Sequence, residues 1–195
     1  MSKKDMILIA AQELFARYGY AGTTMKMVAE KANVASGLVF HYFDSKENLF
    51  MVAGCELIDT MILVLRDRIV DSRNGCDALG IFVRAYLEFT IENEKTFPTL
   101  IRCSPFSDDN PDLDRKKIGA KFRELIDMVE EILRHGIEDG SIVDLPVTQT
   151  AFMVYANIVG AVRTRFLTPY DIPGLYDEAC DFIMRSVCTP SQLNS

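Results

Sequence analysis

At 195 residues, 49% hydrophobic and 25% charged, the chain has an ordinary globular balance and is long enough to bury about 70% of its unfolded surface, which excludes disorder except at the ends. The net charge of -7 is wrong for a nucleic-acid binder taken whole, but it divides unevenly: residues 1 to 50 hold six Lys or Arg against five Asp or Glu, and the rest hold fifteen against twenty-three. Five scattered cysteines (Cys55, Cys76, Cys103, Cys180 and Cys188) with no Cys-x-x-Cys pair suggest a reducing compartment. The apolar run after Lys3 and Lys4 is broken at Gln12 and Glu13, so no secretory signal is evident. The most apolar stretch, Ala151 to Val162, contains Asn157, ends at Arg163 and falls short of the roughly 20 residues a bilayer needs. These features predict a cytoplasmic protein with no membrane partner.

In chain order, the spacing predicts a first helix from Lys3 to Tyr18, with Ile7, Ala11, Leu14, Phe15 and Tyr18 on one face and Gly19 as a left-handed stop. Thr23 or Thr24 caps the next helix, whose core-facing stripe is Val28, Ala29 and Ala32. Ala29 is the small residue that a tight helix-helix corner needs, and four positions on Asn33 tolerates the positive φ of the turn. Val34 plugs the corner. On the helix that follows, Val39, Tyr42 and Phe43 share the inward face, so that Ser36, Gly37, Leu38 and His41 face outward. Thr24 to Lys46 therefore reads as two short helices held at an angle and ending in a cation, a shape that enters a DNA groove. From this stretch alone an ordinary helical hairpin is the alternative.

Asp44-Ser45-Lys46-Glu47 offers a capping box, with Asp44 or Ser45 at the cap and Glu47 reaching back, for a long helix to about Ser72 that can couple the head to what lies beyond. Arg73-Asn74-Gly75 ends it. Further helices are predicted from Cys76 to Lys95, from Thr96-Phe97-Pro98, from Asn110-Pro111 to Glu138, from Asp144-Leu145-Pro146 to about Leu167, and from Ile172-Pro173 to about Cys188. The Asn110 to Glu138 helix turns Phe122, Leu125, Ile126, Val129, Ile132 and Leu133 inward. His41 and His135 are the only histidines, and no nucleophile, base and orienting acid assemble from sequence neighbours, so catalytic chemistry is unsupported. Asp108-x-Asn110-x-Asp112 imitates a calcium loop, but Leu113 and Gly119 stand where Gly and a bidentate Glu are required, so no metal or other cofactor is expected.

The runs Ile7-Leu8-Ile9-Ala10-Ala11 to Leu14-Phe15, Tyr18-Gly19-Tyr20, Thr23-Thr24, Asn33-Val34-Ala35-Ser36-Gly37, Phe40-His41-Tyr42-Phe43 and Lys46-Glu47-x-Leu49 resemble the N-terminal domain of TetR-family transcriptional regulators. The resemblance covers about the first fifty residues closely and the rest in architecture. It departs at Asn33, where the family usually has Gly, and at Phe40, where a Tyr hydroxyl is usual. It implies an all-α fold of about nine helices: a three-helix helix-turn-helix domain over residues 1–46, a helical effector-binding and dimerisation domain over 47–190, and a tail over 191–195.

The function so implied is a ligand-responsive repressor, not an enzyme, that binds a palindromic double-stranded operator as a homodimer. Thr24, Ser36, His41, Tyr42 and Lys46 would meet phosphates, and Met25, Lys26, Gly37, Leu38 and Phe40 would approach bases. The last two helices would form the dimer interface through Phe152, Ala156, Val159, Gly160, Arg163 and Phe166 on one and Tyr176, Cys180, Ile183 and Val187 on the other. A small hydrophobic or aromatic effector would be walled by Met61, Leu65, Phe82, Tyr86, Phe89, Thr90, Leu100, Phe122, Ile126 and Tyr155, with Cys103 and Asn157 as polar points. Arg84, Arg102 and Arg163 are the few cations available to an anionic effector. The reading from another class is a helical small-molecule binding protein or enzyme that does not use its head for DNA.

Overall fold

The computed structural model describes residues 1–104 and 115–193, and every regular element among them is a helix. In chain order these are α1 (Lys3–Gly22), α2 (Met25–Lys31), α3 (Ser36–Phe43), α4 (Lys46–Ile69), α5 (Gly75–Glu92), α6 (Phe97–Cys103), α7 (Arg115–Glu138), α8 (Val147–Leu167), α9 (Leu175–Val187) and the single turn α10 (Pro190–Leu193). They belong to two compact units, residues 1–60 with 93–122, and residues 61–92 with 123 onward. The first unit holds more than the three helices expected of a DNA-binding domain, because α6 packs on α1.

Within the first unit, α1 begins in a capping box: the Asp5 amide donates to Ser2 Oγ at 3.2 Å and the Ser2 amide to the Asp5 carboxylate at 2.8 Å. Ile7, Ala11, Leu14 and Phe15 are buried as the spacing predicts. At Gly19 the backbone turns left-handed (φ 70°), and a last turn then reaches Gly22. Tyr18 departs from the predicted stripe. It sits past the last covered turn, 46% exposed, with the Arg17 guanidinium 5.1 Å from its ring centroid. Gln12, a polar residue on the buried side, is satisfied at both ends: its Nε2 donates to Ala53 O at 3.1 Å, and its backbone carbonyl accepts from Thr99 Oγ1 at 2.6 Å. Those two bonds tie α1 to α4 and α6 without leaving a buried donor unpaired.

By length and composition, α4 is apolar enough to cross a membrane, which corrects the expectation that no segment could. Ala151–Val162 concentrates its apolar residues in a short run interrupted at Asn157, whereas those of α4 are spread over a longer helix. Its buried residues, among them Leu49, Phe50, Ala53, Leu57, Ile58 and Met61, recur at helical spacing, and Glu56 and Thr60 are exposed, the pattern of a core helix.

In the second unit, α5, α8 and α9 pack on one another. The Asn74 side chain caps α5, accepting from the Asp77 amide at 2.9 Å, so the residues predicted to stop the preceding helix also start the next. Gly75 meets the end of α7 so closely that a Cβ there would lie 2.2 Å from Gly136 Cα. Only glycine fits that approach. All six residues predicted to face inward on α7 are buried. The Asn110-Pro111 start predicted for that helix and the calcium-like Asp108-x-Asn110-x-Asp112 lie outside the described residues. The helix predicted to open at Ile172-Pro173 begins at Leu175, after Gly174 in a left-handed conformation (φ 74°).

Cys76 and Cys188 are joined in a disulfide across 112 residues, while Cys55, Cys103 and Cys180 are free. The scattered cysteines suggest a reducing compartment, and spacing cannot reveal a pair this far apart in sequence.

Candidate nucleic-acid interface

The corner of the helix pair is built from backbone bonds and one unusual residue. Thr24 Oγ1 accepts from the Met27 amide at 3.1 Å and caps α2, while the other candidate, Thr23, is buried and donates to Gly19 O at 2.8 Å. At the other end of α2, the Val34 amide donates to Ala29 O at 3.0 Å, with Asn33 between them at φ 52°. Ala29 is 1% exposed, so no larger side chain fits at the crossing. α3 rests on Val39 and Phe43, both buried. Tyr42, predicted to join them, is 40% exposed. An eight-residue helix seated on two side chains has a narrow underside, and Tyr42 lies about 60° round from Val39.

The outer side of α3 carries Ser36, Gly37, Phe40, His41 and Tyr42, all exposed, with Leu38 half-buried beside them. The rings of His41 and Tyr42 stand 5.5 Å apart. A Cβ on Gly37 would meet nothing within 4 Å, so the protein itself does not require glycine at that position. Beside this row Thr24 and Lys26 are exposed, and the Lys26–Glu30 ion pair at 3.8 Å is open to solvent. Met25 is a correction: it is 8% exposed, the first residue of α2, and buried with Val28 and Ala29 instead of standing in the exposed row.

Lys46 is held by residues that the sequence reading did not connect. Its Nζ lies 4.2 Å from the centroid of the Tyr20 ring, and the Tyr20 hydroxyl donates to the carboxylate of Glu47. That phenol, followed by the bonds from the Glu47 backbone and Ser45, holds the Glu47 carboxyl below its usual range. Ser45 caps α4, accepting from the Asn48 amide at 3.1 Å, and Asn48 Nδ2 returns to Phe43 O at 3.0 Å, a carbonyl at the end of α3 that also accepts from the Ser45 amide. The reading head thus presents polar and aromatic groups on one side, ending in a cation restrained by an aromatic face.

The second unit has its own open surface. Phe152, Ala156 and Gly160 on α8 are exposed, with Val159, Arg163 and Phe166 half-buried. The residues predicted on α9 face the other way. Cys180, Ile183 and Val187 are buried, and Tyr176 is half-buried with its hydroxyl 3.0 Å from Thr90 Oγ1. They are the more apolar stripe of that helix, and it faces the protomer's own core. The stripe left open is Ala179, Phe182 and Ser186, which with Met153, Ala156, Asn157 and Gly160 lines two adjoining grooves of about 470 and 540 Å³.

Residues 7–52 match the family model described as "Bacterial regulatory proteins, tetR family". Over these residues, about the first quarter of the chain, the protein is similar to the DNA-binding domain of TetR-family regulators. Over 158 residues, 80% of this chain and 72% of the relative, it is 25% identical to the HTH-type transcriptional regulator RutR of Escherichia coli O157:H7. Among solved structures it is similar to the regulator FadR from Bacillus subtilis in complex with stearoyl-CoA, with a TM-score of 0.78 and 20% identity over 93% of this chain and 97% of that one. It is also similar to AibR in complex with isovaleryl coenzyme A and operator DNA, with a TM-score of 0.74 and 19% identity over 95% and 97%.

Of the residues expected to wall an effector cavity, Leu100, Cys103 and Phe122 lie in the first unit. Met61, Leu65, Phe82, Tyr86, Phe89, Thr90, Ile126 and Tyr155 lie in the second, and all eleven are buried. Asn157 is misplaced in that set. It lies on the open side of α8, and its Nδ2 donates to Met153 O at 2.8 Å. Hydroxyls are among the polar groups buried in the second unit: Tyr86 and Tyr155, with ring centroids 6.4 Å apart, and Thr90 against Tyr176. Burial pushes the Tyr86 phenol far up, against a hydrogen bond with Tyr155 that lowers it.

Proposed function

We propose that this chain is a TetR-family, ligand-responsive transcriptional repressor that binds a palindromic operator as a homodimer and is released by a small hydrophobic effector. The observation that carries the reading is the outer side of α3, exposed along its length, with an open space at Gly37 where the protein has no use for glycine. A base edge or thymine methyl fits that space. Lys26, Gly37, Leu38 and Phe40 approach the bases. Thr24, Ser36, His41, Tyr42 and Lys46 meet phosphates, and these contacts fix the register.

One such helix reads few bases, so a second copy is required, and two heads about one helical turn apart read a palindrome. The face through Phe152, Met153, Ala156, Gly160, Ala179 and Phe182 joins the copies: it is apolar, continuous and carries small residues where two helices cross. The effector lies among the buried aromatic and aliphatic residues of the helical body. The acyl-CoA complexes of FadR and AibR support an acyl thioester as its class. Binding favours a state in which the two heads are spaced wrongly for the operator, by no more than the effector's difference in affinity between the two states. The protein is not an enzyme, and it acts in the bacterial cytoplasm, where the operator is.

The test is a fluorescence-anisotropy titration of labelled duplexes carrying the upstream regions of neighbouring genes, repeated with acyl-CoAs of increasing chain length. Salt-dependent, sequence-specific binding that one chain-length class abolishes supports the reading. Binding that ignores every acyl-CoA removes the effector class, and no specific binding removes the repressor.

A further inference from the structure

We infer that the Cys76–Cys188 bond is a site of reversible thiol–disulfide exchange with a dithiol reductant, and that its state sets how tightly the α8–α9 face associates with a second copy. The second half of this inference rests on the homodimer proposed above.

The position of the bond is what makes it more than a staple. Cys76 lies in the first turn of α5, and Cys188 is the cap residue ending α9. A helix N-terminus stabilises a thiolate, so Cys76 is the better leaving group of the two. Cys188 continues a helix whose last turns carry Phe182 and Ser186 to the open face. The segment that pairs with Cys188, through the Ile142 bridge and the Val143 amide donating to Val187 O at 3.0 Å, lines the same groove at Val143 and Leu145. What happens at the sulfurs therefore reaches the proposed interface within a few residues.

The surroundings keep the two sulfurs together when the bond opens. The Cys76 amide donates to Ser141 Oγ at 3.0 Å, the Gly75 amide to the Asp139 carboxylate at 2.8 Å, and the Thr189 amide to Ser141 O at 3.0 Å. Reduction thus loosens the end of α9 without dispersing the pair, and the bond can re-form. The other cysteines compete poorly. Burial pushes the thiols of Cys55, Cys103 and Cys180 above their ordinary range, which keeps them protonated. Glutathione and thioredoxin systems keep cytoplasmic thiols reduced, so a disulfide formed in that compartment is typically transient.

Cys76 and Cys188 are 5% and 4% exposed, so the exchange begins when the end of α9 opens: one thiolate of the dithiol then attacks Cys188 Sγ, the Cys76–Cys188 bond breaks, and Cys76 leaves as a thiolate that takes up a proton. The second thiol of the donor, deprotonated, then attacks the donor's own first sulfur in the mixed disulfide and releases Cys188, which is protonated in turn. Two electrons and two protons have passed to the protein, and the donor ends as a disulfide. A low-molecular-weight disulfide such as oxidised glutathione reverses the sequence by the same steps.

The experiment uses the full chain, prepared with dithiothreitol or with oxidised glutathione, alkylated and analysed by peptide mass, in parallel with sedimentation over a concentration series. Cys76 and Cys188 are expected to be alkylated only after reduction, with the dimer dissociation constant rising about tenfold. The Cys76→Ser/Cys188→Ser double variant should match the reduced protein in both preparations. Alkylation of Cys76 and Cys188 in the oxidised preparation overturns the exchange site. Equal dimer constants in the two states overturn the coupling. A chain that is monomeric in both states refutes the homodimer, and the mass result still decides the exchange.

Discussion

Replacing Gly37 by Ala separates the proposed function from the fold at a single methyl group. A Cβ at Gly37 meets nothing within 4 Å, and the residue lies in the first turn of α3, where its backbone is already helical. Within the protein the change is therefore favourable. Ala exceeds Gly by about 1 kcal/mol in a helix interior and by about half of that near an end. For a chain of 195 residues a gain of about 0.5 kcal/mol raises Tm by about 1–2 °C. Against DNA the sign reverses: the methyl occupies the space proposed for a base edge, and overpacking a closed contact costs about 1–3 kcal/mol, or about 5- to 150-fold in operator affinity. Thermal melting by circular dichroism and anisotropy on the selected operator read the two effects independently. A variant that melts higher and binds the operator as well as the parent would refute the placement of α3 in the groove. One that melts lower would refute the open space.

Lys46→Ala should weaken binding to all duplexes alike and reduce the slope of log K against log salt by about 1, and an unchanged slope strikes Lys46 from the phosphate contacts. Met25→Ala should cost about 2 kcal/mol of stability, a drop in Tm of about 4–8 °C, and leave the preferred DNA sequence unchanged; an altered preference with unchanged Tm would return Met25 to the interface. Gly160→Leu should leave the protomer folded, since a Cβ there meets nothing within 4 Å, and sediment as a monomer; a persisting dimer places the interface elsewhere. Glu47 has its folded pKa lowered, chiefly by the Tyr20 phenol, so its stabilising contribution is present above the unfolded carboxylate value and lost as pH falls through the folded one. Tyr20→Phe should therefore narrow the stability difference between neutral and acid pH, measured by urea unfolding, and an unchanged difference removes the Tyr20–Glu47 bond from the account.

Where a structural feature is decided by residues a few positions apart, the sequence shows it. The Thr24 cap, the small residue at Ala29, the left-handed Asn33 and the buried pair Val39 and Phe43 each follow from local chemistry. Stripe edges are harder. Tyr18, Met25 and Tyr42 each lie at the margin of an apolar face, where side-chain direction and the end of a helix outweigh spacing. On α9 the helical period was right and the face was wrong. Two stripes exist, and the more apolar one, through Cys180, Ile183 and Val187, reads as an interface from spacing alone, although burial goes first to the protomer's own core. Features that depend on distant pairing were not readable. Tyr20 meets Glu47 across 27 residues, and Cys76 meets Cys188 across 112.

Selection of bound sequences from a pool of randomised duplexes, by the full chain at low salt, addresses the central claim most directly. The account predicts enrichment of a two-fold symmetric sequence whose half-sites are about 10 base pairs apart, centre to centre, or a multiple of that spacing. A pool that stays random after repeated rounds, with the protein folded, would contradict it.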